Sequence, residues 1–122
     1  MKKPNLLKIT FPLALLSILC ATTRAQDAVK TSPQLYKVLL DNDQVRVLEY
    51  RLKPGEKEPM HSHPAGVVYV LSGATLKFSY PGGRTEEKTA ATGETIWRDP
   101  VTHAVENIGK TEAHALAIDL KK

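Results

Sequence analysis

The amino-acid sequence predicts an all-β domain, a small antiparallel sandwich or barrel. From Leu35 onward, short apolar runs alternate with period two, clusters of Gly, Pro, Asp and Asn interrupt them at close, regular spacing, and no stretch joins helical periodicity to a credible N-cap. In order, the strands are LYKVLL (35–40), QVRVLEYRL (44–52) after a DND turn, MHSH (60–63) after KPGEKEP, VVYVL (67–71) and TLKFSY (75–80). RTEEKT (84–89), ETIWR (94–98), THAVEN (102–107) and AHALAIDL (113–120) complete the set. The clearest hairpin is Tyr80-Pro81-Gly82-Gly83-Arg84, where proline sets the corner and the glycines are free to take positive φ. Residues 26–34 (QDAVKTSPQ), small and polar, read as a flexible leader into a domain spanning 35–122.

The first 25 residues have the three-part pattern of a secretory signal: Lys2, Lys3 and Lys8, then an apolar stretch of about 13 residues, then Thr23 and Ala25 at the small positions before a cut. The stretch falls short of the roughly 20 residues a membrane span needs. Cleavage is expected after Ala25, which makes the mature chain periplasmic or secreted. Four of the 17 basic residues lie in the signal and none of the 13 acidic ones does, so 13 basic groups face 13 acidic groups in the mature chain. That balance gives no basis for a nucleic-acid partner, or for a membrane partner after cleavage. The single cysteine, Cys20, leaves with the signal, so the mature fold holds no disulfide and depends on packing, a metal or self-association.

His61 and His63 stand at i and i+2 of a predicted strand and therefore share one face. Imidazole suits divalent Fe, Mn, Cu, Ni or Zn, but two ligands hold an ion weakly. His103, opening another predicted strand behind a turn, is the candidate third ligand, with one ion expected per chain.

PGEKEPMHSHPAGVVYVLSG resembles the first cupin motif, with Gly55, His61, His63 and Gly73 at the required spacing. GETIWRDPVTHAVEN resembles the second, with Gly93, His103 and Asn107 matched, although it is one residue shorter and Asp99-Pro100 replaces the usual proline-x-glycine turn. The resemblance covers about residues 35–120 and implies a jelly-roll barrel, a likeness to small type-2 cupins and self-association as a homodimer. Where that family places a glutamate ligand, this chain has Gly66. The implied ligand set is therefore His61, His63 and His103, as in the three-histidine cupins, some of which are iron-dependent dioxygenases. Without the carboxylate, a divalent ion keeps its full charge and favours an anionic, chelating small molecule, and Gly66 is expected to leave open space beside it.

Pocket candidates are Glu49, Tyr50, Met60, Trp97, Arg98 and His114, the last also weighed as a fourth ligand because it runs in phase with the bulky Leu116, Ile118 and Leu120. Asn107 is expected to fix a turn or support His103. Gly55, Gly73 and Gly93 read as positive-φ turns. Three functional readings stand: a metal-dependent oxygenase acting on a small chelating molecule, a small-molecule or metal-binding module without turnover, and a metal-dependent isomerase or lyase.

Overall fold

The structure, a computed structural model, describes residues 1–5 and 26–122. The expected signal core, its cleavage point at Ala25 and Cys20 lie outside the described residues. Nine strands follow a one-turn helix α1 (Ala28–Thr31) and a 3-10 turn (Pro33–Leu35): β1 (Tyr36–Asp41), β2 (Val45–Leu52), β3 (Lys57–His63), β4 (Gly66–Ser72) and β5 (Ala74–Ser79). β6 (Thr85–Ala90), β7 (Thr95–Arg98), β8 (Val101–Asn107) and β9 (Ala113–Leu120) complete the chain.

The strands form a five-stranded sheet, β1-β2-β9-β4-β7, and a four-stranded sheet, β3-β8-β5-β6, and neighbouring strands in both sheets pair antiparallel. Among the described residues each sheet keeps two free edges, so the jelly-roll architecture expected from the sequence takes the form of two facing sheets that are not closed on one another. Period-two alternation turns Leu48, Tyr50 and Leu52 of β2 inward, and Tyr50 and Leu52 pack with Leu35, Ala74, Val105 and Ala113. The hairpin at Pro81 forms as predicted, with Gly82 at φ 90° and Gly83 at φ 96° joining β5 to β6.

Three expectations change. The 26–34 segment is docked rather than flexible: Ala28 and Ser32 are fully buried, Gln26 O accepts from Ser62 N at 2.7 Å, and Asp27 pairs with Arg46 at 2.5 Å. β9 is turned the other way from its bulk. Its inward residues are Ala113, Ala115, Ala117 and Asp119, paired across to the inward side of β4, and its large residues face out. Gly73 has no positive φ and is required for close approach instead, since a Cβ there would lie 2.4 Å from Ala90 O.

Candidate metal centre

β3 and β8 pair with His61 directly opposite His103, and alternation places His63 on the same inward face. The three rings sit 4.7, 4.8 and 5.5 Å apart between centroids, and one nitrogen from each lies within 4.8 Å of the others. All three residues are buried. His61 Nδ1 lies 2.7 Å from Pro59 O, so its N–H donates there and the Nε2 lone pair is directed inward, 2.9 Å from His63 Nε2. His63 Nδ1 is buried with no hydrogen-bond partner among the described residues.

Two of the rings, His63 and His103, are kept neutral. Burial, then the charges of Arg98, His61 and His103, drive the His63 pKa down to about 2. Burial, then His61 and Arg98, drive that of His103 to about 3. Neutral imidazoles are metal-competent, and lone pairs converging on one point without an acidic partner between them suit a divalent transition ion. The donor set fits one such ion held from one side, leaving its other positions to water or substrate.

A carboxylate missed in the sequence lies beside this centre. Glu58 is 2 % exposed, accepts from Tyr36 Oη at 2.5 Å and Tyr50 Oη at 2.9 Å, and lies 3.4 Å from His61 Nδ1. Three residues before His61, it would fall on the opposite face of a regular strand. A register shift between Glu58 and His61 inserts Pro59 and Met60 as exposed residues and brings Glu58 round to the inner face. Pro59, which cannot donate to a ladder, was the available signal for that bulge. Burial raises the Glu58 pKa, and burial together with Glu58 raises those of both tyrosines.

The histidines open into a cavity of about 580 Å³ between the sheets. Tyr50 and Arg98 line it. Met60 is 40 % exposed on the bulge, and Glu49 is directed to the outside, 2.8 Å from His114 Nε2. His114 borders the cavity but stands apart from the three-histidine group. Trp97 also borders it, yet is 58 % exposed and donates from Nε1 to Asp99 at 2.9 Å. Asn107 fixes turns, donating from Nδ2 to Leu52 O and Thr111 O at 2.8 Å each and accepting from Gly109 N at 3.0 Å. Gly66 does not leave open space: a Cβ there would lie 2.2 Å from Ile118 O and 3.1 Å from Arg98 Nη2.

Comparison with known proteins agrees with this architecture. Residues 48–119 match the Cupin domain family. A cupin domain from Bordetella pertussis Tohama I is similar in structure, with TM-score 0.66 and 27 % identity over 81 % of this chain and 98 % of the other. A polyketide cyclase from Streptomyces resistomycificus shares the fold at TM-score 0.53 and 24 % identity, covering 71 % of this chain and 64 % of the other. So does a predicted oxalate decarboxylase from Thermotoga maritima, at TM-score 0.53 and 22 % identity over 71 % and 79 % of the two chains. No curated protein matches the chain. With two histidines of one strand facing a third across an antiparallel neighbour, and more than half of its length matched, the chain belongs to the cupin family.

Proposed function

We propose that the chain is an exported, metal-dependent oxygenase that binds one divalent ion through His61, His63 and His103 and acts on a small chelating molecule. The observation that carries this reading is the convergence of three buried imidazoles on a cavity large enough for a small organic ligand. When bound, the ion supplies Lewis acidity and open coordination positions. The chain's own residues do the rest. Pro59 O fixes the His61 tautomer, and Glu58 and its two tyrosines brace that ring from behind.

The test is elemental analysis of protein from the exported fraction beside the His61→Ala/His63→Ala/His103→Ala variant, followed by oxygen uptake with α-hydroxy acids, enediols and catechols. About one Fe, Mn, Cu or Ni per chain, absent in the variant, with substrate-dependent oxygen consumption, is the expected result. Turnover without oxygen consumption would replace the oxygenase with an isomerase or lyase. A metal-free wild type would overturn the reading.

A homodimer is part of the same proposal. Its support is an in-register apolar row crossing the outer face of the five-stranded sheet, Leu40–Val47–Ile118–Val67–Trp97, with Leu40 and Trp97 49 % and 58 % exposed. Sedimentation of Trp97→Arg should show monomers where the wild type sediments as a dimer.

A further inference from the structure

Inside the cavity, one cation is held with hydrogen-bonding capacity to spare. Arg98, on the inward side of β7, is 12 % exposed at its side chain and lines the same cavity as the histidines. Its Nη2 donates to Asp119 Oδ1 at 2.5 Å and to Pro64 O at 3.1 Å, and its Nε donates to Pro64 O at 3.3 Å. Nη1 makes no hydrogen bond among the described residues. The guanidinium lies close to Gly66 of β4, whose missing side chain is required by the backbone oxygen of Ile118, 2.2 Å from where a Cβ would stand.

Two guanidiniums, Arg98 and Arg46, share two carboxylates, Asp119 and Asp27, and Arg98 pairs with only one of them. Asp119, 2 % exposed, is shared between Arg98 and Arg46, the latter at 3.1 Å. Arg46's second partner, Asp27, is more exposed, with 29 % of its side chain accessible. Glu58, a buried carboxylate that lines the cavity, spends its two oxygens on tyrosine hydroxyls. A buried guanidinium that keeps a free N–H edge is suited to a planar carboxylate. Val68, Val70, Ile96, Ala115 and Ala117 form an apolar, finely stepped part of the wall, and Lys88, Glu94 and Asp99 also border the cavity.

From this arrangement we infer that the cavity selects a small organic carboxylate, its anionic group received by Arg98 and its apolar body laid along the alanines of β9 and the valines of β4. The inference deepens the metal-site reading by naming a substrate class, and it rests on that reading only for the chemistry that follows binding.

The experiment is calorimetric titration of chelator-treated, metal-free protein with benzoate and with its neutral isostere benzamide. The wild type should bind benzoate at least tenfold more tightly than benzamide. Arg98→Gln should abolish that preference, and Arg98→Lys should restore part of it. Because Arg98→Gln leaves Asp119 buried with one partner fewer, Arg98→Gln/Asp119→Asn is measured beside it. Asp119→Asn alone, which breaks the ion pair but keeps the guanidinium, should retain or strengthen the preference. Equal affinity for the two probes in the wild type, no binding of either, or a preference that survives Arg98→Gln would overturn the inference. Titration of the same samples with Zn(II) reports on the histidines separately. Metal binding without carboxylate preference would sink this inference and leave the metal site standing, and the reverse result would do the opposite.

Discussion

The two sheets that wall the cavity make different contributions. The four-stranded sheet brings the nitrogen donors and Glu58, all from β3 and β8, on strands tied to each other by one register. The five-stranded sheet brings shape and charge: alanines on β9, valines on β4, Tyr50 on β2 and Arg98 on β7. A metal centre needs a few lone pairs at fixed separation, which strand alternation and a single pairing supply. A ligand wall needs volume and one well-placed ion, which depend on how four strands of another sheet are stacked against the first. Metal binding and ligand choice should therefore be separable by mutation.

The sharpest division comes from the histidines. Replacing any one of His61, His63 and His103 by Ala should reduce metal content from about one ion per chain to a small fraction, read by elemental analysis after dialysis, because two imidazoles hold an ion weakly. Carboxylate binding to the metal-free protein should persist in those variants. If it vanished with them, the two walls would be a single functional unit.

Glu58 tests how far the metal-holding sheet depends on its neighbour, since both of its tyrosine donors come from the five-stranded sheet. Glu58→Ala orphans two hydroxyls, each worth about 1–3 kcal/mol when buried unpaired. Tyr50→Phe leaves Tyr36 bonded and should cost less, a ranking that urea denaturation will check. Ala117→Leu acts on the opposite wall. It should fill the cavity and weaken benzoate binding tenfold or more at unchanged metal content.

A smaller effect is expected from pH. In metal-free protein, His63 and His103 resist protonation until about pH 2 and 3, whereas the unfolded chain takes up those protons near 6.5. The folded state therefore binds fewer protons in that window, so stability holds above about pH 6.5 and falls as pH drops towards 3. His61 and Arg98, which face these rings, push in the same direction. Glu58, its pKa raised by burial, has the opposite slope above about 4.5. The signature is a denaturation midpoint that falls with acid more steeply in the wild type than in His63→Gln/His103→Gln. The smallest effect belongs to His114→Gln: metal content and carboxylate preference should both stay unchanged, and any loss of metal would bring His114 back as a ligand.

Much of the metal-holding sheet was legible in the chain because its information is local. The i, i+2 spacing of His61 and His63 commits both to one face, and the turn before His103 brings a third ring to the neighbouring strand. Glu58 escaped because a bulge changes strand phase, which spacing alone does not report. Glu49 and Met60, expected at the pocket, lie outside it for related reasons. An exposed bulge carries Met60 outward. On β9 the large residues cover the outer surface and the small ones face the cavity, the reverse of the usual assumption that bulk marks the inside. That choice is set by pairing with β2 and β4, not by β9 itself.

By itself the sequence determined the strand content, the hairpin at Pro81, the grouping of the three histidines and the family, because alternation, turn chemistry and motif spacing act over a few residues. Only the tertiary structure decided that the sandwich stays open, that the 26–34 segment docks, that Gly66 is filled by the β9 backbone beside Arg98, and that two tyrosines converge on Glu58. Each of these depends on residues far apart in the chain, whose separation is fixed only when two sheets pack face to face.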